Sequence, residues 1–314
     1  MANPKQSALK PERFIGGHRA CAGCGYPIYL KQVLSSTENP IVVVSATGCL
    51  EVTSTIFPYS AWKVPFLHNA FENSAATCSG VEGAWQSLKK QGKNKKEIKF
   101  LAMGGDGGTY DIGLQSLSGA MERRHDMLYV CYNNDAYMNT GVQRSSATPM
   151  GANTTTSQAG KVQKGKTVHS KNLTEIMAAH DLPYVAQTTV GYWMDATRKF
   201  EKAFAITGPK FINTYSPCVP GWGYHMSQTV KISKLAVETN LWPLYEIENG
   251  KYTINIKNPK EKRKPIEEFL KLQVRFKHLL APDAKDVVQN IQDFIDWRYS
   301  NLERLEKATN PEVK

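Results

Sequence analysis

The strongest constraint on this 314-residue chain is a pair of apolar runs that each end in a short polar signature. Ile98-Lys99-Phe100-Leu101-Ala102-Met103 leads into Gly105-Asp106-Gly107, and Met127-Leu128-Tyr129-Val130-Cys131-Tyr132 leads into Asn133-Asn134. Short apolar runs bounded by Gly or Asn read as buried strands. Asp106 and Asn134 stand 28 positions apart, room for a crossover helix between two parallel strands. Both side chains then emerge at carboxyl ends of strands, where open α/β sheets bind ligands. A carboxylate beside an amide oxygen is a hard donor pair suited to Mg²⁺. Alone, Asp106-Gly107 also reads as a common turn pair. The Asn pair after a second strand is what favours a site.

Six cysteines are present: Cys21, Cys24, Cys49, Cys78, Cys131 and Cys218. Cys21-Ala22-Gly23-Cys24-Gly25 places two thiols on a glycine-relieved loop, which in a reducing compartment serves a metal or redox purpose more often than a disulfide. Cys49 closes the β-branched run Ile41-Val42-Val43-Val44-Ser45-Ala46-Thr47-Gly48, and Cys218 follows the strand-like Lys210–Tyr215 run. Both loops are expected at the sheet edge that carries Asp106 and Asn134. Four thiolates suit either Zn²⁺ or a [4Fe–4S] cluster. The isolation of Cys49 and Cys218 fits iron better than zinc, whose structural sites draw on paired knuckles. Cys78 and Cys131 read as small core residues.

The remaining runs alternate helix and strand: helix over 26–34, strand 41–44, helix 73–88, strand 98–103, helix 111–123, strand 127–132, helix 173–180, strand 184–188, helix 195–206 and strand 210–215. That alternation predicts an α/β fold, a mostly parallel sheet with helices on both faces. Residues 141–170 lack apolar periodicity and form a long loop of the kind that often serves as a lid. Past residue 257 two charged helices, 267–277 and 283–307, are expected. The second carries an apolar stripe of Val287, Val288, Ile291, Phe294, Ile295, Leu302 and Leu305. The expected division is an α/β domain over 1–256 and a basic linker with a helical C-terminal extension over 257–314. No apolar run reaches the roughly 18 residues of a membrane span, and Met1–Gln6 has no signal-peptide character; a cytoplasmic location without membrane attachment is expected. The net charge of +11 gathers at 89–96 and 257–264. Solvated helix ends explain it, as does steering of an acidic partner. No aromatic-interleaved basic platform accompanies it, so nucleic-acid binding is not expected.

The stretch Gly105-Asp106-Gly107-Gly108-Thr109-Tyr110-Asp111-Ile112-Gly113, with Asn134-Asp135-Ala136-Tyr137-Met138-Asn139-Thr140-Gly141, resembles the thiamine diphosphate motif of 2-oxoacid:ferredoxin oxidoreductases. More narrowly it resembles the β subunit of the pyruvate-type members. The Asn-Thr-Gly ending differs from the Met- or Leu-Thr usual in 2-oxoglutarate-type relatives, and the likeness runs from about Cys21 to about Tyr224. It implies a thiamine diphosphate-binding fold in which Asp106, the Asn134 side chain and the Ala136 carbonyl hold Mg²⁺. It further implies that Thr47, Gly48, Gly105 and Gly107 line the cofactor, and that Asn139, the catalytic candidate, and Thr140 face cofactor and substrate. It implies one [4Fe–4S] cluster on Cys21, Cys24, Cys49 and Cys218, since the family holds this centre with C-x-x-C, Thr-Gly-Cys and Pro-Cys.

The activity so implied is oxidative decarboxylation of a short 2-oxoacid, with electrons passed to ferredoxin. Pyruvate leads; oxalate and branched-chain oxoacids stay open, as does the use of coenzyme A. The onward C-x-x-C-x-x-C-x-x-x-C-P cluster runs do not occur in this chain, and no glutamate to activate the cofactor is evident. An α subunit and others are therefore expected to complete the active site and carry further clusters. One departure is Tyr26, where single-chain relatives usually have Glu, which puts a polar contact from that position in doubt. The competing readings are a non-redox thiamine lyase with structural zinc and a basic zinc module for nucleic acid.

Overall fold

The computed structural model describes residues 9–310, so the first part of the extended arm that the sequence suggests over residues 1–20 lies outside the described residues. Eight strands form one sheet in the order β2-β1-β3-β4-β6-β5-β7-β8. Six run parallel: β1 (Ile41–Ala46), β2 (Phe66–Asn69), β3 (Lys99–Gly105), β4 (Leu128–Asn133), β5 (Tyr184–Thr189) and β6 (Lys210–Tyr215). β4, β5 and β6 are buried at every position, as parallel strands covered on both faces must be. β7 (Tyr245–Glu248) and β8 (Lys251–Ile254) add an antiparallel hairpin at one edge. Its turn is Asn249-Gly250, both at positive φ, the pairing that two-residue hairpins demand.

Alternation along the strands divides the core. Val43, Leu101, Met103, Leu128 and Val130 point to one face, where helices α1 (Tyr26–Ser35) and α6 (Trp193–Ala205) cover them. Val44, Phe100, Ala102, Tyr129 and Cys131 point to the other, under α3 (Ser74–Lys90), α4 (Leu114–Glu122) and α5 (Leu173–Ala178). The expected α/β sheet with helices on both faces is present. The remaining helices are α2 (Cys49–Ser54), α7 (Val219–Trp222), α8 (Thr229–Glu238), α9 (Glu267–Leu270) and the long α10 (Lys285–Thr309). Among the described residues, no helix is long and apolar enough to cross a membrane.

Two helices differ from expectation. The 111–123 segment begins as a π-helix over Gly107–Ile112 and becomes α-helical only from Leu114. Such widened turns are frequent at functional sites, and this one opens directly on Asp106. The 267–277 segment stops after one turn: Gln273 adopts extended dihedrals (φ −127°, ψ 126°) and a 3₁₀ turn, Val274–Leu280, follows. That break buries Arg275 and Phe276 together. α10 buries Val288, Ile291, Ile295, Tyr299 and Leu302 along one stripe. Ile291 and Ile295 join Trp222, Trp242, Phe269 and Phe276 in a third apolar cluster, while Leu302 reaches the sheet.

α10 is stitched to the hairpin by a buried carboxylate. Glu306 Oε1 accepts from the Ile254 backbone N–H at 2.7 Å, and Oε2 pairs with Lys257 at 3.0 Å. Glu306→Ala should leave that buried N–H unpaired and cost about 1–3 kcal/mol, with faster amide exchange at Ile254. Glu306→Gln should retain most of the stability; denaturant unfolding monitored with hydrogen exchange measures both.

Candidate active site

Four neighbouring parallel strands, in the order β1, β3, β4, β6, deliver every candidate loop to one sheet edge. Thr47-Gly48-Cys49 leaves β1, Asp106 leaves β3, Asn134 leaves β4, and Pro217-Cys218 follows β6. A cleft there is lined by Thr47, Gly48, Cys49, Gly105, Gly107, Asn134, Ala136 and Asn139, with Phe71, Tyr132, Tyr137 and Met138 as aromatic and thioether walls. Thr140 stands outside this lining. It is exposed, and its hydroxyl donates to Gln143 Oε1 at 2.6 Å.

Asp106 is 1% exposed and is held by neutral donors. Its Oδ1 accepts from the Asn134 N–H at 3.1 Å and its Oδ2 from Ser145 Oγ at 2.5 Å. Burial pushes the carboxyl up to about 8; Ser145 opposes the shift, buried Asp135 adds to it, and the Asn134 amide pulls back. The Asn134 side-chain oxygen faces two acceptors, Asp106 Oδ1 at 2.9 Å and the Ala136 carbonyl at 3.0 Å. Turning that amide over would instead let its nitrogen donate to both. The carboxyl of Asp106, the amide of Asn134 and the carbonyl of Ala136 thus converge at one place.

Close approach explains Gly105 and Gly107, and at Gly48 it adds to a backbone (φ 159°, ψ −176°) that essentially only glycine adopts. A methyl group on Gly107 would strike the Tyr137 ring, and one on Gly48 would strike the Tyr132 hydroxyl. That hydroxyl is buried with no hydrogen-bond partner. On Gly105 a methyl would meet the Tyr132 ring at 3.1 Å.

The long 141–170 loop is tied down rather than free to close. Ser145 holds Asp106, the Ser146 N–H donates to Asp111 at 2.9 Å, and Thr148 Oγ1 donates to the Asp135 carbonyl at 2.5 Å. Beneath it, buried Lys166 donates to the Thr148 carbonyl at 2.6 Å and lies against those of Ser145 and Ser146. Burial and Arg144 lower the Lys166 ammonium to about 8.

The thiols divide into two kinds. Cys78 and Cys131 are fully buried in α3 and β4, whereas Cys21 is exposed and Cys24, Cys49 and Cys218 are half-buried. Burial raises Cys24 and Cys218 to about 12, with smaller contributions from Cys49 and Cys21 at Cys24 and from Cys24, Cys49 and Cys21 at Cys218. Cys49 is raised by burial too, while the Asn139 side chain pulls it down. Packing draws the loops together. A methyl on Gly25 would lie 2.7 Å from Ser216 Oγ and 3.3 Å from Pro217 N. Tyr26 does make a polar contact: its hydroxyl bonds Thr53 Oγ1, which donates to the Cys49 carbonyl at 2.7 Å. The C-x-x-C helix and the Cys49 helix are thereby linked. Among the described residues, no group of three or more His, Cys, Asp or Glu side chains is gathered as a site for a metal ion.

Ser145, Tyr132, Asp135, Trp222 and Arg275 are site neighbours that the sequence reading missed. Only Asp135 carried a signal: it follows Asn134, and Asp tolerates the positive φ of 67° found there.

Residues 46–214 match the model of the thiamine pyrophosphate enzyme family, its C-terminal TPP-binding domain. Fold and site therefore define a thiamine pyrophosphate enzyme domain. The chain is 52% identical over 300 residues to pyruvate synthase subunit PorB of Thermotoga maritima, covering 93% of this chain and 92% of that one. It is 52% identical over 289 residues to the PorB subunit of Methanocaldococcus jannaschii, covering 91% and 95%. It is 45% identical over 296 residues to ketoisovalerate oxidoreductase subunit VorB of Pyrococcus abyssi, covering 94% and 93%. A solved 2-oxoglutarate:ferredoxin oxidoreductase from Magnetococcus marinus shares the fold, with TM-score 0.54 at 20% identity over 69% of this chain and 71% of that one. The chain belongs to the β subunits of pyruvate-type 2-oxoacid:ferredoxin oxidoreductases, and it is an oxidoreductase subunit.

The crowding at Gly48 gives a direct test of the cleft floor. Gly48→Ala should destabilise the chain by about 1–3 kcal/mol through overpacking. Adding Tyr132→Phe, which removes the unpartnered hydroxyl, should restore the packing part of that loss and leave the backbone strain of a side chain at φ 159°. Denaturant unfolding of the two single variants and the double variant measures the coupling.

Proposed function

We propose that this subunit binds thiamine diphosphate through Mg²⁺ and carries one [4Fe–4S] cluster beside it, for oxidative decarboxylation of a short 2-oxoacid. One observation carries the reading: an oxygen trio and four thiols share the edge formed by four adjacent parallel strands. Mg²⁺ binds oxygens at about 2.0–2.1 Å in octahedral geometry, so neighbouring ligands lie about 2.8–3.0 Å apart. With its amide oxygen turned toward them, Asn134 would lie 2.9 Å from Asp106 Oδ1 and 3.0 Å from the Ala136 carbonyl, close to that edge length. Asp106, Asn134 and the Ala136 carbonyl would hold the cation, with Gly105 and Gly107 leaving room for the diphosphate and Thr47 and Gly48 at the cleft wall.

Cys21, Cys24, Cys49 and Cys218 would hold the cluster. Cys49 and Cys218 stand alone in the sequence, which fits iron better than zinc, whose structural sites draw on paired knuckles. Raised thiols bind metal only by giving up protons, which couples assembly to pH. When bound, thiamine diphosphate supplies a carbanion for attack on the substrate carbonyl and the cluster a one-electron acceptor. Asn139 lines the cleft and touches Cys49, so it is placed to orient substrate at one end and to hydrogen-bond a cluster ligand at the other. Hydrogen bonds to ligand sulfur tune cluster potential. Thr140 would need a shift of its turn to reach the cofactor.

Pyruvate is the favoured substrate, from the names of the relatives; branched-chain oxoacids and oxalate are the alternatives, and coenzyme A would be a co-substrate for the first two. An α subunit and others would complete the site and carry further clusters in a cytoplasmic complex, with ferredoxin as acceptor and the basic surface steering it. A panel of oxoacids with anaerobic dye reduction by the intact complex decides among substrates.

Asp106→Ala should abolish Mg²⁺-dependent thiamine diphosphate binding, measured by calorimetry on the complex; unchanged affinity would remove the metal assignment. For the cluster, Cys218→Ala, like Cys21→Ala and Cys24→Ala, should lose the brown, reductant-bleachable chromophore together with iron and sulfide. Cys78→Ala and Cys131→Ala should keep all three. A colourless wild-type protein with stoichiometric zinc would overturn the iron reading.

A further inference from the structure

The loop Asn133–Ala136 carries two of the three cation-facing oxygens, and its backbone is almost wholly committed elsewhere. The Asn134 N–H bonds Asp106, and the Asn134 carbonyl accepts from Trp222 Nε1 at 2.7 Å. The Asp135 N–H bonds Asn133 Oδ1 at 3.0 Å, and the Asp135 carbonyl accepts from Thr148. Between them Asp135 adopts φ 67°, a left-handed conformation that Asp tolerates better than most residues. Its carboxylate is 2% exposed and accepts from Tyr215 OH at 2.7 Å and from Arg275 Nη2 at 2.9 Å.

Arg275 comes from the 3₁₀ turn that interrupts the C-terminal segment, 140 positions away. It is 5% exposed, its Nε donates to Gln273 Oε1 at 2.9 Å, and its guanidinium lies 3.9 Å from the centre of the Trp222 ring. The same indole holds the Asn134 carbonyl. One arginine therefore neutralises the loop's buried acid and braces the tryptophan that grips its backbone.

We propose that Arg275 is a positioning residue for cofactor capture: it locks Asp135, and through it aims the Asn134 amide and the Ala136 carbonyl at the cation. This rests on the Mg²⁺–thiamine diphosphate reading above. The lock has two parts, charge and shape. A neutral residue leaves Asp135 buried without its counter-charge. A lysine keeps the charge but loses the planar fork and the stacking.

The test is Mg²⁺-dependent thiamine diphosphate affinity of the assembled complex carrying wild-type chain, Arg275→Lys, Arg275→Met or Leu279→Ala. Leu279 is buried in the same turn, against Gly151 instead of the loop, and controls for general destabilisation. Arg275→Met should weaken binding at least tenfold and Arg275→Lys at least threefold. Leu279→Ala, at an equal or larger fall in Tm, should stay within twofold of wild type. Wild-type affinity in Arg275→Lys overturns the proposal, as does a loss that follows Tm equally in Leu279→Ala. Should Arg275→Met fail to assemble, Arg275→Lys decides alone. If the wild-type complex binds thiamine diphosphate equally well without Mg²⁺, the cofactor reading fails instead.

Discussion

Parallel pairing is the constraint on which this molecule depends. Strands that run the same way present all their carboxyl ends at one edge, and the chain must return across a face before each new strand. Four consecutive neighbours in the sheet therefore deliver four chemically distinct loops to one place. Those loops bring thiols from β1 and β6 to the flanks of an oxygen trio from β3 and β4. The crossover helices supply the two cores that make the strands uniformly apolar. The π-turn at Gly107–Ile112 then opens the helix start beside Asp106.

The second organising fact is buried acid. Asp106 and Asp135 are both almost inaccessible, yet they are satisfied differently. Asp135 has Arg275 and Tyr215, a fixed internal partner set. Asp106 has a hydroxyl and an amide, and burial holds its carboxyl far above the ordinary range. One acid has an internal counter-charge, and the other has only neutral donors. Like charges crowded in low dielectric favour such a division of roles.

The cysteines follow a similar logic. Cys78 and Cys131 are sealed in the core, while the other four lie at an accessible edge, where the Tyr26–Thr53–Cys49 chain and the packing of Gly25 on Ser216-Pro217 tie their loops. The Tyr26 hydroxyl binds one loop to another without adding charge beside the thiols.

The sequence alone determined the parallel core of the sheet: apolar runs of strand length with helical stretches between them leave little choice but parallel crossovers, and β1, β3, β4, β5 and β6 stand where that pattern put them, whereas β2, β7 and β8 were not read from it. It also marked Asp106, Asn134, Cys49 and Cys218, because each follows a strand that periodicity reveals, and Cys21 and Cys24 by their C-x-x-C spacing. The Asn249-Gly250 hairpin carried a local turn signal that could have been read as well. Other features were settled only by the tertiary structure. The long loop reads as a lid, but Lys166, Ser145 and Thr148 pin it through contacts between residues distant in the chain. The helix expected over 267–277 breaks at Gln273, since burying Arg275 against Trp222 and Asp135 outweighs the local preference to stay helical. Periodicity reports which face of a segment is apolar; it carries no information about a partner 140 residues away, and that is why Arg275 belongs to the fold and not to any motif.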